Sequence, residues 1–101
     1  MEIIIKKQDE VVTAFLKGRL DTLAAQEVAG QMESLAEAAS GTVVLDCTEM
    51  SYISSSGLRL FLTLRKAAAE KGGKIIVRGI SNDIRSVFMM TGFLNLFEIA
   101  S

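Results

Sequence analysis

Short apolar runs alternate along this chain with longer segments in which apolar residues recur every three or four positions. Four apolar runs with the length and β-branched content of strands lie at residues 3–5, 11–16, 42–46 and 74–78. Polar residues 8–10 separate the first two runs, and this spacing favours a hairpin. A brief apolar segment at residues 96–99 predicts a further strand or a turn. The pattern therefore predicts four to five strands.

Two segments have the periodicity of amphipathic helices. At residues 23–39, a 3-4-3-4 spacing predicts one narrow buried stripe, formed by Ala25, Val28, Met32, Leu35 and Ala39. Asp21 or Thr22 can cap this helix. A shorter helix is predicted from the capping residues 81–83 to about Met90, with Ile84, Val87 and Phe88 on one face.

A third helical segment, residues 58–71, is apolar around most of its circumference. It is rich in good helix formers and stops at Gly72 and Gly73. Its polar positions follow 4-3-4 spacing and predict one exposed stripe of Arg59, Thr63, Lys66 and Glu70. Such a helix must be buried on several sides or offer part of its surface to a partner.

The predicted order β-β-α-β-α-β-α, followed by a short element, is typical of an α/β domain. We expect residues 1–101 to form one domain, with a mixed but mostly parallel sheet of four to five strands and three or more helices. In such sheets, functional loops cluster at the carboxyl ends of the strands. Two loops in the sequence are expected there, residues 19–22 and the serine-rich residues 52–57.

The serine-rich loop, Tyr52-Ile53-Ser54-Ser55-Ser56-Gly57, leads from a predicted strand into the apolar helix. Unpaired backbone N–H groups and the positive dipole end of a helix favour an anion at this position. A serine there can therefore carry a phosphate without disrupting the fold. Serine is also one of the commonest N-cap residues. The serines could therefore serve only to cap the helix, without carrying a phosphate.

Composition narrows the possible functions. Eleven basic and twelve acidic side chains leave a net charge of −1, which does not favour binding to nucleic acid or to an anionic membrane. The apolar runs are too short to span a bilayer. There is no histidine and no glycine-rich phosphate loop, and the one cysteine, Cys47, is expected to be a small core residue. We therefore expect no enzyme activity, no catalytic residue, no metal and no cofactor. A single cysteine also fits the reducing cytoplasm, where we expect the protein to be located.

Motifs distributed along the whole length resemble the STAS domain, and specifically the bacterial anti-sigma-factor antagonists. They are Gly18-Arg19-Leu20-Asp21-Thr22, Val43-Val44-Leu45-Asp46, Tyr52-Ile53-Ser54-Ser55-Ser56-Gly57-Leu58-Arg59, Lys74-Ile75-Ile76-Val77 and Gly92-Phe93 with Phe97-Glu98-Ile99. Each motif is weak by itself, but their order and spacing over about 100 residues make the resemblance specific.

This resemblance implies a switch controlled by phosphorylation. Family members bind an anti-sigma factor, which is often a serine kinase, and a metal-dependent phosphatase reverses the modification. The family's Asp-Ser-Ser/Thr-Gly motif covers residues 54–57, which implies Ser55 as the acceptor and Ser56 as the second choice. In this chain, Ser54 stands at the position of the motif's aspartate. Family members with the sequence Ile-Ser-Ser-small-Gly-Leu-Arg also resemble this chain, so this departure does not remove the acceptor.

The partner surface is expected around the serine-rich loop and the first turn of the following helix. The residues expected to contribute are Asp21, Thr22, Ser54, Ser55, Ser56, Gly57, Leu58 and Arg59. Two alternatives stay open at this point. The chain could be a STAS-type scaffold that binds a partner without phosphorylation, for instance in lipid trafficking, or it could bind a small molecule or nucleotide.

Overall fold

Five strands and three α-helices follow one another in the computed structural model, which describes residues 1–38 and 40–100. The strands are β1 Glu2–Gln8, β2 Val11–Leu20, β3 Thr42–Ile53, β4 Lys74–Arg78 and β5 Glu98–Ala100. The helices are α1 Thr22–Glu37, α2 Ser55–Lys71 and α3 Asn82–Thr91, and a 3-10 turn at Phe93–Asn95 precedes β5. The predicted α/β class is therefore confirmed.

The strands form one sheet in the order β1-β2-β3-β4-β5. The β1–β2 hairpin is antiparallel, and the other three strand pairs are parallel. Asp9 takes a positive φ of 56° in the two-residue connection between β1 and β2. Both the hairpin and the mostly parallel sheet agree with the sequence pattern.

One face of the sheet forms the core together with the three helices. The parallel registers align Ala14, Leu45 and Val77 across the central strands, and all three are fully buried. Four of the five positions predicted for the stripe on α1 are buried: Ala25, Val28, Met32 and Leu35. The fifth, Ala39, lies outside the described residues. On the opposite face of the sheet, the side chains are mostly half-buried or exposed.

Four phenylalanines join α2, α3 and the C-terminal segment. The rings of Phe61, Phe88, Phe93 and Phe97 are buried, with neighbouring centroids 5.9–6.2 Å apart. Offset and edge-to-face contacts of this kind add stability beyond the burial of apolar area. This cluster packs the segment that follows α3 against α2 and α3.

Strand β3 differs from the prediction, which ended it at residue 46. It continues to Ile53, because its pairing with β2 resumes after register shifts between Phe15 and Lys17 and between Gly18 and Arg19. These irregularities break the simple alternation of apolar and polar residues on which the prediction depended. The extension places the serine-rich loop directly at the end of β3.

Helix α2 begins earlier than predicted, and its apolar residues differ in how deeply they are buried. It starts at Ser55 and ends at the left-handed Gly72. Leu58, Phe61, Leu64 and Ala68 are buried, while Leu60 is half-buried and Leu62 is 37% exposed. The predicted polar stripe at positions 59, 63, 66 and 70 is exposed. Most of the apolar excess therefore belongs to the core.

Candidate functional site

The first turns of α1 and α2 lie side by side at the carboxyl ends of β2 and β3. Leu20 pairs with Ile53 at the end of the parallel register. The next residue of each strand, Asp21 and Ser54, is the N-cap of the helix that follows. Two helix N-termini therefore meet at one edge of the sheet, as the sequence predicted for these two loops.

Ser54 connects the two N-termini. Its Oγ accepts a hydrogen bond from the Gly57 N–H at 3.2 Å and donates one to the Leu20 carbonyl at 3.0 Å. The Ser54 N–H also donates to that carbonyl at 2.9 Å. An ionised aspartate could cap the helix but could not donate to Leu20. The serine that departs from the family motif thus has a structural role here.

Ser55 and Ser56 have different environments although they are adjacent. Ser55 is the first residue of α2 and is exposed, whereas Ser56 is half-buried. Ser54 is only 9% exposed and has its hydroxyl engaged in capping. Ser55 is consequently the most accessible of the three hydroxyls.

Gly57 and Leu58 face inward. A Cβ on Gly57 would lie 2.7 Å from Leu20 Cγ and 3.0 Å from Ile53 Cγ1, so the absence of a side chain lets α2 pack closely on the strand ends. Leu58 is 6% exposed and belongs to the core. The expectation that its side chain contributes to a partner surface is therefore wrong, because the first turn of α2 directs position 58 toward the sheet.

A shallow groove runs between α1 and α2 from this edge. Its lining residues are Thr22, Ala25, Gln26, Ala29, Ser56, Arg59, Leu60 and Thr63. Small side chains on α1 keep the groove open, and Arg59 lines it while remaining exposed. Of the residues predicted for a partner surface, Thr22, Ser55 and Arg59 are exposed, and Asp21 and Ser56 are half-buried.

Sequence reasoning missed two features beside the loop. Leu23 in the first turn of α1 is 65% exposed. The sequence did contain a signal for this exposure, because Leu23 does not belong to the 3-4-3-4 repeat that forms the buried stripe of α1. Arg19 lies over the Tyr52 ring, 4.4 Å from its centroid. Arg19 and Tyr52 both belong to the motifs that resemble the STAS domain. Their contact depends on the extension of β3 to Ile53, which the alternation of apolar and polar residues did not predict.

The groups with shifted pKa lie outside this edge. Burial raises the pKa of Cys47 to about 12, with a smaller contribution from the charge of Asp46. Such a thiol is protonated at neutral pH and inert. No His, Cys, Asp and Glu cluster suited to a metal ion occurs in residues 1–38 and 40–100. Over the same ranges, every helix is too short or too polar to cross a membrane.

Comparison with known proteins assigns the chain to a family. The STAS domain model matches residues 2–101. BtrV of Bordetella bronchiseptica, which carries the name of an anti-sigma factor antagonist, is 29% identical over 101 residues, covering 100% of this chain and 87% of its own. The anti-sigma-B factor antagonist of Listeria monocytogenes is also 29% identical, over 98% of this chain and 88% of its own.

Solved structures support the same assignment at the level of the fold. The anti-sigma factor antagonist SpoIIAA in its unphosphorylated form has a TM-score of 0.76 at 20% identity, covering 99% of this chain and 88% of that one. The phosphorylated form of the Bacillus protein SpoIIAA has a TM-score of 0.75 at 22% identity, with coverage of 99% and 92%. Antagonists of this type are regulatory binding proteins, which agrees with the expectation that the chain is not an enzyme. From its sequence and its fold, the chain belongs to the STAS-domain family and resembles its anti-sigma factor antagonists.

Proposed function

We propose that this protein binds an anti-sigma factor in its unphosphorylated state and is released when Ser55 is phosphorylated. The observation that carries the proposal is the exposed Ser55 at the first position of α2, directly after the capping Ser54. The relatives named as anti-sigma factor antagonists support the choice of partner. We further propose that the partner is a serine kinase, that a phosphatase reverses the modification and that both act in the cytoplasm.

The fold tolerates a phosphate at Ser55. A phosphate adds about −1.5 to −2 charges at pH 7. The N-terminus of α2 has no acidic residue in its first turn, so the helix dipole would stabilise these charges by roughly 0.3–1 kcal/mol. Phosphorylation is therefore expected to leave the fold unchanged.

A bound partner would not tolerate the same phosphate. Burying it in an interface where the partner offers no cationic group costs several kcal/mol. Because about 1.4 kcal/mol corresponds to a tenfold change in affinity, even part of this cost would dissociate a micromolar complex. The modification thus changes the binding surface rather than the stability of the domain.

Arg59 adds a second effect. It lies four residues after Ser55, and residues at this spacing are neighbours on one face of a helix. Arginine forms strong, charge-assisted hydrogen bonds to phosphate. A phosphate on Ser55 would therefore engage Arg59 and withdraw its guanidinium from the partner.

The contact surface follows from the exposed residues of the two first turns. Thr22 and Leu23 on α1, with Ser55, Ser56 and Arg59 on α2, would contact the partner. Leu23 supplies the exposed apolar side chain that Leu58 does not. Leu58, Gly57 and Ser54 act indirectly by holding α2 in place.

Mapping of the modification tests the proposal. After incubation with the cognate kinase and ATP, peptide mass spectrometry should find the phosphate on Ser55, and the Ser55→Ala variant should incorporate little. Ser56→Ala is the matched control and should still be modified. Phosphate found mainly on Ser51, Ser81 or Ser86 would contradict the assignment. A partner that binds regardless of phosphorylation would favour the scaffold alternative.

A further inference from the structure

We propose that β1 pairs in antiparallel orientation with β1 of a second copy of this chain, so that the protein forms a weak two-fold dimer through its sheet edge. The observation behind this inference is the free, self-complementary edge formed by Glu2-Ile3-Ile4-Ile5-Lys6. The inference does not depend on the proposed function, because the edge strand is separate from the serine-rich loop.

The edge presents unpaired backbone groups at alternate residues. Strand β1 is the first in the sheet order and pairs with β2 alone among the described strands. Gln8 and Val11 flank the two-residue turn of the hairpin, and such flanking residues exchange both backbone hydrogen bonds. By alternation, Ile4 also bonds to β2, while Ile3 and Ile5 direct their N–H and C=O groups outward. An edge of this kind is a template for another strand.

The charges on β1 select one antiparallel register. If Ile4 of one copy lies opposite Ile4 of the other, Ile3 faces Ile5 and Glu2 faces Lys6, twice by symmetry. The outward backbone groups of Ile3 and Ile5 then form the hydrogen-bonded pairs. Opposite charges on directly facing residues each contribute roughly 0.2–1 kcal/mol. A shift of the register by two residues loses both Glu2–Lys6 pairs.

The side chains fit this register as well. Ile5 is 40% exposed, Ile3 and Ile4 are half-buried, and Glu2 and Lys6 are exposed. Ile3 and Ile5 share a sheet face with Leu16 and Ala14, so four isoleucines from two copies would form one apolar cluster there. Lysine and glutamate on an edge normally oppose pairing. Here their order along the strand makes the edge attractive to its own copy in this register.

The dimer leaves the serine-rich loop accessible. Antiparallel pairing directs the carboxyl ends of β2 and β3 in the two copies toward opposite ends of the joined sheet. Each copy would thus present its own loop to a separate partner. An interface of one strand per copy is smaller than the roughly 1,200 Å² at the low end of stable interfaces, so we expect concentration-dependent association.

Sedimentation equilibrium with charge variants tests the pairing. Glu2→Lys and Lys6→Glu should each raise the dimer Kd by about tenfold, and the double variant should restore it. Gln8→Glu is the matched control, because it adds a carboxylate to the same strand outside residues 2–6, and it should leave the Kd within about twofold. A wild-type protein that stays monomeric at its highest soluble concentration would overturn the proposal.

Disulfide trapping tests the register without relying on affinity. In the proposed register the two Ile4 Cα atoms lie about 4.5 Å apart, which suits a disulfide. Two Gln8 residues would be separated by eight residues along the strand, roughly 26 Å. Ile4→Cys should therefore cross-link rapidly on oxidation, while Gln8→Cys, which keeps both Glu2–Lys6 pairs, and the wild type with its buried Cys47 should not. Equal cross-linking of the two variants would overturn the register.

Discussion

At the residue scale, the serine-rich loop divides its tasks among four neighbouring positions. Ser54 caps α2 and bonds to Leu20, Ser55 is exposed, Ser56 lines the groove and Gly57 allows close packing. The sequence motif predicted that these residues lie at a helix start. It could not predict which hydroxyl is free, because that depends on the Leu20 carbonyl, 34 residues earlier in the chain.

The first prediction concerns the double role of Ser54. Ser54→Ala removes a cap and a buried hydrogen bond to Leu20, so it should destabilise the protein by about 1–3 kcal/mol in urea unfolding. Ser81 is the matched control, because its Oγ also caps a helix, with Ile84 N–H at 3.2 Å, but it is exposed. Ser81→Ala should cost less. An equal loss for both variants would mean that the bond to Leu20 contributes nothing.

At the element scale, the placement of α2 on the strand ends determines the site. Periodicity predicted the three helices and their buried faces, since burial of one helix face requires that spacing. It did not predict the length of β3, because the bulged pairing with β2 is a contact between distant segments. The Arg19–Tyr52 contact escaped prediction for the same reason.

The second prediction tests the close packing of α2. Gly57→Ala would bring a methyl group against buried Leu20 and Ile53, and overpacking of this kind typically costs about 1–3 kcal/mol of stability. The higher helix propensity of alanine offsets part of this cost. Gly30, in the middle of α1, is exposed, and a Cβ added there would meet no atom within 4 Å. Gly30→Ala should therefore stabilise the protein by about 0.5–1 kcal/mol. Thermal melts that shift in the same direction for both variants would contradict this account of α2.

At the scale of the whole molecule, one face of the sheet lies in the core and the other face carries charged pairs. On that second face Arg78 Nε donates to Asp46 Oδ2 at 2.8 Å, linking β4 to β3. Burial alone would raise the pKa of Asp46. The hydrogen bonds from Arg78 and Thr48 and the charge of Arg78 outweigh burial, so the pKa lies below its ordinary value.

The third prediction follows from this lowered pKa. A carboxylate with a lowered pKa in the folded state stabilises the fold above its unfolded pKa of about 3.9, and this contribution disappears as the pH falls through the folded pKa. Because Arg78 is partly exposed, Asp46→Asn should cost only up to about 1 kcal/mol at pH 7. The difference from wild type should vanish in urea titrations at acid pH. Glu49→Gln, which breaks the exposed Lys17 pair at 3.4 Å, is the control and should change stability little. A constant difference across the pH range would contradict the pairing.

The proposed switch is also a property of the whole molecule, since it changes a surface while the fold persists. The most direct test is isothermal titration of the purified anti-sigma factor partner with the protein before and after phosphorylation of Ser55. The unphosphorylated protein should bind, and the phosphorylated protein should bind at least about tenfold more weakly, with an unchanged thermal melt. Arg59→Glu should also weaken binding, whereas Lys66→Glu, two helical turns away on the same exposed stripe, should not. Equal affinity of the phosphorylated and unphosphorylated forms would contradict the switch and leave a partner-binding scaffold in its place.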